Sequence, residues 1–152
     1  MIDGVTYKVT AIDKNAFKNN ASIKKVTIGN NVVTIGDKAF YKCTALTKIT
    51  IPDKVKTIGK SAFEGCKKLK TVTIGKGVTK IGSKAFYGCS KLKALTIKST
   101  KLTTKKIGSK AFSKAGSSNY KKLTVKVPKS KLKSYKTMLR KRGLSSKAKV
   151  KK

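Results

Sequence analysis

The sequence lacks histidine and tryptophan altogether, and its 152 residues include only five acidic side chains against 39 lysines and arginines. Histidine is the commonest general acid or base and a common zinc ligand, and the few carboxylates are scattered along the chain. No apolar run approaches the roughly 18 residues that a membrane-spanning helix requires. These absences predict that the chain is not an enzyme, binds no metal or cofactor, and has no membrane-spanning segment.

The few acidic residues are confined to the N-terminal part of the chain. They are Asp3, Asp13, Asp37, Asp53 and Glu64. Residues 65–152 contain no acid but hold 28 of the 39 basic residues, the 39 less the 11 that precede residue 65. Only Arg140 and Arg142 are arginine, which leaves 37 lysines. The formal net charge of +34 is therefore mostly a field of lysines, concentrated in the C-terminal half.

The chain repeats a short unit along most of its length. The dipeptide Ala-Phe recurs at Phe17, Phe40, Phe63, Phe86 and Phe112, so the first three intervals are equal and the fourth is longer by three. A fixed interval of this size is typical of solenoid repeats. One such unit buries too little apolar surface to offset the entropy lost on ordering it, so the units must stack. We therefore predict five coils of about 23 residues over residues 1–127.

Each unit contains a short segment in which apolar and polar residues alternate. The alternation predicts a strand whose middle residue faces solvent while its neighbours face the core. The segments are Val26-Thr27-Ile28, Ile49-Thr50-Ile51, Val72-Thr73-Ile74, Leu95-Thr96-Ile97 and Leu123-Thr124-Val125. About one helical turn that carries Ala-Phe lies elsewhere in the unit. The predicted fold is a repeat solenoid with short parallel strands on one face and short helical turns on the other.

The C-terminal end departs from the repeat. Pro128 favours a helix start, and Gly143 marks a stop. Between them, apolar residues follow at helical spacing, at Leu132, Tyr135, Met138 and Leu139. This pattern predicts a capping helix over residues 128–143, with 144–150 completing the cover, so that 128–152 form a helical cap and basic tail. At the other end, residues 3–7 are predicted to form a hairpin-like lead-in.

The pattern IGxxAFxxCxxLxxxxIP at a 23-residue period resembles the BspA-like, or Treponema-type, leucine-rich repeats of bacterial surface proteins. Two units carry the match most fully, with Ile58, Gly59, Ala62, Phe63, Cys66 and Leu69 in one and Ile81, Gly82, Ala85, Phe86, Cys89 and Leu92 in the next. The resemblance covers about residues 5–127. It implies a curved leucine-rich-repeat solenoid, no catalysis, and adhesion at a bacterial surface. The first ten residues show no secretion-signal pattern, so the extracellular or cell-surface location is expected from the resemblance alone.

Three cysteines are interpreted as packing residues. Cys43, Cys66 and Cys89 recur at the same interval as the phenylalanines, and the same column of the repeat holds Asn20 and Ala115. A position that accepts Cys, Asn or Ala is predicted to be small and buried. Without histidine, these thiols also lack the usual partner for catalysis or for a zinc site.

A column of glycines is interpreted as a set of turn residues. Its members are Gly36, Gly59, Gly82 and Gly108, and the first unit has Asp13 at this position. No phosphate-binding pattern surrounds any of them. Because Gly and Asp both tolerate positive φ, we predict a left-handed turn residue in this column.

The outward residues of the strands form a candidate binding face. Its members are Lys25, Thr27, Lys48, Thr50, Thr73, Thr96 and Lys98. The face is either a solvated sheet, whose threonines satisfy strand propensity, or a polar and basic surface for an acidic partner. Tyr41 and Tyr87 follow the core Phe, at a position where other units have Lys, Glu or Ser. This variability predicts that both are exposed, and an exposed Tyr can anchor a protein or glycan partner.

These features predict a non-enzymatic binding or adhesion module that recognises an acidic protein or glycan ligand through the solenoid face. The alternative is an electrostatic binder of anionic polymers such as a wall polymer, a sulfated glycan or nucleic acid, because a charge of +34 attracts any polyanion. Specific nucleic-acid recognition is disfavoured by the scarcity of arginine and of exposed aromatic platforms. A structural spacer within a longer surface protein is a third interpretation.

Overall fold

The computed structural model describes residues 4–152, which form a stack of coils with one α-helix near its C-terminal end. The elements are β1 (Ala11–Ile12), β2 (Thr34–Ile35), β3 (Lys48–Ile51), β4 (Thr57–Ile58), β5 (Thr71–Ile74), β6 (Lys80–Ile81), β7 (Ala94–Ile97), β8 (Thr124–Lys126), α1 (Leu132–Lys141) and β9 (Lys149–Lys151). Short 3-10 turns occupy Thr104–Lys106, Tyr120–Lys122 and Lys129–Lys131. We number the coils one to five after their Ala-Phe pairs. The predicted lead-in includes Asp3, which lies outside the described residues.

The strands form two parallel sheets along the stack. The larger has the order β3-β5-β7-β8-β9, and the smaller has the order β1-β2-β4-β6. In the larger sheet each residue of β3 pairs with its equivalent one repeat later, as Ile49 does with Val72. The solenoid with parallel strands is therefore confirmed. The smaller sheet was not predicted, because its strands are only two residues long and show no alternation.

The first and last predicted strands differ from expectation. In coil one Lys25 forms a bridge to Lys48, just before the predicted strand, and residues 26–28 are not a strand. In coil five, Val125 rather than Leu123 pairs with Leu95. The segment from Phe112 to Val125 is thus longer by four than the equivalent segment of coil four, from Phe86 to Leu95. A shift of two positions keeps the same side chains inward, so the alternation alone could not fix this register.

The phenylalanines form a continuous column through the core. Successive rings stack at centroid distances of 5.2, 5.1, 5.2 and 5.7 Å, with interplanar angles of 15° or less. Phe40, Phe63, Phe86 and Phe112 are fully buried, whereas Phe17 is 40% exposed at the N-terminal end of the stack. The predicted stacking of the repeat units in register is confirmed.

The turns that carry the phenylalanines are joined by backbone hydrogen bonds that all run in one direction. The amide of Phe17 donates to the carbonyl of Ala39 at 2.7 Å, and that of Phe40 donates to Ala62 at 2.8 Å. Two residues per coil in these turns take a positive φ, such as Lys38 at 54° and Lys42 at 53° in coil two. Two left-handed residues end each helical turn before a helix can form.

The glycine column has a different role from the one predicted. None of Gly36, Gly59, Gly82 and Gly108 has a positive φ, so the left-handed assignment is wrong. Each instead lies against the backbone of the preceding coil. A Cβ on Gly59 would come within 2.5 Å of the amide nitrogen of Asp37, and one on Gly82 within 2.4 Å of that of Lys60. Asp13 can carry a side chain because the described residues place no coil beneath it.

Helix α1 and strand β9 continue the stack beyond coil five. Helix α1 lies within the predicted range and buries Tyr135, Met138 and Leu139. The amide of Phe112 donates to the carbonyl of Arg142 at 3.0 Å, which continues the ladder on the turn side. Strand β9 pairs with β8 in parallel, with Val150 beside Val125. Part of the sequence predicted as a basic tail is thus the outermost strand of the larger sheet.

Candidate binding surface

The larger sheet presents the predicted polar column to solvent. In β3 the residues alternate, with Lys48 and Thr50 exposed and the two isoleucines buried. Thr50 pairs with Thr73 and Thr73 with Thr96, so these threonines lie side by side across three coils. Lys126 then pairs with Thr96 and replaces threonine in the column.

The N-terminal end of this face is a groove rather than a flat sheet. A cavity of about 570 Å³ brings together Lys25, Thr27, Lys48 and Thr50. An adjoining cavity of about 440 Å³ shares Thr50 and is lined by Thr73 and Lys98. A shallower hollow of about 290 Å³ holds Thr96 and Lys98. We call the first two cavities together the strand-face groove.

Sequence reasoning missed several residues that line the strand-face groove, among them Lys24, Asn30, Pro52 and one acid, Asp53. Lys24 lines it beside Lys25, and Asn30 and Pro52 line both of its cavities. Asn30 and Pro52 lie in the turns that follow the strand segments of coils one and two, where the sequence signals a turn but gives no direction for its side chains. Lys24 and Thr47 occupy the same position in successive coils, and the amide of Thr47 donates to the carbonyl of Lys24 at 3.2 Å. Lys24 therefore lies at the edge of the strand face.

Tyr41 and Tyr87 lie outside the strand-face groove, on the turn side of the stack. Both are half-buried, so they are less exposed than predicted. Lysine ammonium groups flank each ring. Those of Lys38 and Lys42 lie 5.8 and 5.3 Å from the ring centroid of Tyr41, and those of Lys84 and Lys114 lie 5.8 and 5.6 Å from that of Tyr87. The aliphatic parts of long lysines commonly cover neighbouring surface in this way.

The positive charge of the surface cannot be neutralised within the chain. Even if every acid paired with a base, 39 less 5 leaves 34 basic residues without an acidic partner. Two of the carboxylates accept hydrogen bonds from backbone amides of the next coil. Asp37 accepts from Lys60 at 2.7 Å, and Asp53 accepts from Lys76 at 2.8 Å.

The cysteines form the predicted buried column. The thiol of Cys66 donates to the carbonyl of Phe40 at 3.1 Å, and that of Cys89 donates to the carbonyl of Phe63 at 3.2 Å. Burial raises the pKa of the Cys89 thiol to about 12. Burial, and to a lesser extent the neighbouring thiols, also raises the pKa of Cys66. Among the described residues, no group of three or more Cys, Asp or Glu side chains could hold a metal ion.

Comparison with known families agrees with this architecture. The model of the BspA type Leucine rich repeat region matches residues 10–137, in six copies. This chain belongs to the BspA-type leucine-rich repeat family. Among curated proteins, no sequence matches it. In the described part of this BspA-type protein, no helix is long and apolar enough to cross a membrane.

Two solved structures resemble this chain in sequence as well as in fold. A leucine rich cell surface protein from Faecalibacterium prausnitzii A2-165 is 31% identical, with a TM-score of 0.67 over 83% of this chain and 31% of that one. A leucine-rich repeat protein from Bacteroides ovatus ATCC 8483 is 31% identical, with a TM-score of 0.66 over 82% and 38% of the two chains. This BspA-type chain therefore spans about a third of the length of either protein.

A more distant structure shares the fold alone. The leucine rich repeat protein of T. pallidum is 17% identical, with a TM-score of 0.61 over 97% of this chain and 83% of that one. The arrangement of coils is thus retained where few side chains are shared.

Proposed function

We propose that this BspA-type protein is a non-enzymatic binding or adhesion module of a bacterial cell surface, and that it recognises an acidic protein or glycan through the strand-face groove. The observation that carries the proposal is the groove itself. It places two lysines and two threonines, Lys25, Lys48, Thr27 and Thr50, around one cavity of about 570 Å³. The relation to a named cell surface protein of F. prausnitzii supports the location.

The chemistry of the groove favours a polar, acidic ligand. Lysine ammonium groups attract carboxylates and sulfates, and threonine hydroxyls both donate and accept hydrogen bonds. The parallel strands beneath hold the threonines at a fixed spacing of about 4.8 Å per coil. A ligand that lies across β3 and β5 therefore meets a preformed array, which lowers the entropic cost of binding.

The proposal is tested by filling the groove without changing its charge. The double substitution Thr50→Trp and Thr73→Trp should weaken binding to a surface-immobilised matrix protein or acidic glycan that the unaltered chain retains at about 150 mM salt. The control is Thr34→Trp, which places the same side chain at an exposed position of the smaller sheet. We expect at least a tenfold loss of affinity for the groove variant and less than a twofold loss for the control.

The result that contradicts the proposal is equal binding by the groove variant and the unaltered chain. Each of the replaced threonines is at least partly exposed, so the tryptophan ring that replaces it can point into solvent. We therefore expect both the groove variant and the control to fold. Circular dichroism of the two proteins verifies that the strands remain.

A further inference from the structure

We propose that a second groove, on the edge where the strands of coils three to five begin, binds a linear anionic polysaccharide. Four lysines from three successive coils converge there, Lys70, Lys91, Lys93 and Lys122, around a cavity of about 290 Å³. We call this cavity the lysine groove. It shares no lining residue with the strand-face groove, and this inference does not depend on the function proposed for that groove.

The lysine groove exists because coil five is longer than the others. The four extra residues after Phe112 carry the chain outward through Ser118 and Asn119, which form one wall. Two backbone hydrogen bonds attach this wall to coil four, from Gly116 to Cys89 and from Ser118 to Ser90, both at 2.9 Å. In coils one and two the equivalent edge residues, Lys24 and Thr47, line the strand-face groove instead.

The lining of the lysine groove is free of acids. Besides its lysines it contains Ser90, Leu92, Ser118 and Asn119, and the nearest coil segments, residues 67–74, 90–97 and 117–127, contain no Asp or Glu. All four lysines are exposed, so their ammonium groups can reach into the cavity. A cleft lined by one sign of charge concentrates the opposite charge within it.

The shape of the groove and its polar residues favour a sugar chain over a nucleic acid. Lys93 donates its backbone amide to the carbonyl of Lys70 at 2.9 Å, so these two lysines come from directly stacked backbone positions. A polymer that crosses these two coils along the stack axis therefore meets the side chains of Lys70 and Lys93 from backbone positions about 4.8 Å apart. Two serines and an asparagine offer hydrogen bonds to hydroxyl groups of the polymer. Neither arginine nor aromatic side chains line the groove, although both are the usual means of reading or stacking nucleic acid bases.

The chain supplies a matched control on its smaller sheet. A cavity of about 340 Å³ there is also lined by four lysines, Lys60, Lys80, Lys105 and Lys106. Unlike the lysine groove, it includes an acid, Asp37. Loss of three lysines from either cavity lowers the net charge equally, from +34 to +31. A difference between two such variants therefore reports position rather than total charge.

The experiment compares two triple variants of the full chain. The lysine-groove triple carries Lys70→Gln, Lys93→Gln and Lys122→Gln. The control triple carries Lys60→Gln, Lys80→Gln and Lys106→Gln. Binding is measured by calorimetry to heparin, which carries sulfates, and to hyaluronan, which carries carboxylates, over about 50–200 mM salt. We expect the lysine-groove triple to lose about tenfold or more in affinity for one of these polysaccharides. We also expect the slope of log affinity against log salt to fall by about two to three. The control triple should change the affinity less than threefold.

Three results would overturn the proposal. The first is an equal loss in the two triples, which would show attraction by net charge alone. The second is the absence of measurable binding to both polysaccharides at about 150 mM salt. The third is an equally tight and equally position-dependent binding of a duplex DNA, which would make nucleic acid the ligand. The Thr50→Trp and Thr73→Trp variant should bind the polysaccharide normally, so the strand-face proposal can fail while this one stands.

Discussion

The hydroxyl of Tyr135 donates a hydrogen bond to the carbonyl of Ser99 at 2.9 Å and so joins α1 to the loop that precedes coil five. The same hydroxyl accepts a hydrogen bond from the amide of Leu102 at 3.0 Å. Nearby, two nitrogens of the Arg142 guanidinium donate to the carbonyl of Thr104 at 3.1 and 2.6 Å. The three extra residues that separate Phe86 from Phe112 lie in this loop, which forms the receiving site for the helix.

Removal of the Tyr135 hydroxyl should destabilise the cap. The substitution Tyr135→Phe leaves a buried carbonyl and a buried amide without their partner, which costs about 1–3 kcal/mol. The control is Tyr7→Phe, at a side chain that is 65% exposed, where we expect a change below about 0.5 kcal/mol. Chemical denaturation followed by circular dichroism measures both. A Tyr135→Phe protein as stable as the unaltered chain would show that the two hydrogen bonds contribute nothing.

A methyl group in the glycine column should be destabilising only where a coil lies beneath it. Gly59→Ala brings a Cβ within 2.5 Å of the backbone of coil two, and the resulting displacement should cost about 1–3 kcal/mol or more. Asp13→Ala alters the same column in coil one and should be nearly neutral. The two midpoints of denaturation give the comparison. Similar midpoints for the two variants would contradict the close-approach explanation of these glycines.

The ring column should be most sensitive in its middle. Phe63→Ala removes a fully buried ring that is stacked on both sides, and we expect a loss of about 3–5 kcal/mol in the free energy of unfolding. Phe17→Ala removes a ring that is 40% exposed and stacked on Phe40, so its loss should be no more than about half as large. If Phe17→Ala were the more damaging change in a denaturation series, the stack would not be held together by this column.

The buried thiols should make the protein less stable at alkaline pH. The folded-state pKa of Cys89 is raised from 9.0 to about 12, and that of Cys66 is raised as well. Unfolded chains therefore release these protons first, so the contribution of the thiols is complete below pH 9 and declines as the pH rises above it. The expected slope is up to about 1.4 kcal/mol per pH unit for each thiol.

The control for this pH effect is the double variant Cys66→Ala and Cys89→Ala. Both proteins contain the same lysines, so the difference between the two stability curves isolates the thiols. Parallel curves between pH 8 and pH 10.5 would contradict the prediction. In the native protein at pH 8, both thiols should also resist a thiol-specific reagent until the chain is unfolded.

The 23-residue period accounts for most of what the sequence predicted correctly. Once the units stack in register, recurring residues become columns, and the columns of Phe63 and Cys66 are found where the period places them. The strand-face threonines followed from alternation within each unit. The roles of Gly59 and Gly82 were not predictable from the sequence. A close backbone approach and a positive φ both select glycine, so the residue type does not distinguish between them.

Features that arise where the period breaks were predicted less well. The segment Leu123-Thr124-Val125-Lys126-Val127 alternates throughout, so two registers satisfy the same inward pattern, and only the length of the preceding loop decides between them. That loop also creates the lysine groove, which no motif marks. Tyr41 and Tyr87 were expected in solvent because the residue type at one position says nothing about lysines, such as Lys42 and Lys114, whose ammonium groups lie over the ring.

The one-way hydrogen bonding of the turns leaves carbonyl acceptors at the N-terminal end of this ladder, whereas at the other end the amide of Phe112 already donates to Arg142. Each amide that joins one Phe-bearing turn to the next donates toward the C-terminal end, so the carbonyls of Lys14, Ala16 and Lys18, which are equivalent to Lys60, Ala62 and Glu64, point away from coil two. Two copies that met through their first coils would set acceptor against acceptor along this side. A chain that covers coil one must therefore bring its own N–H groups, which selects the polarity of any strand or turn that docks there.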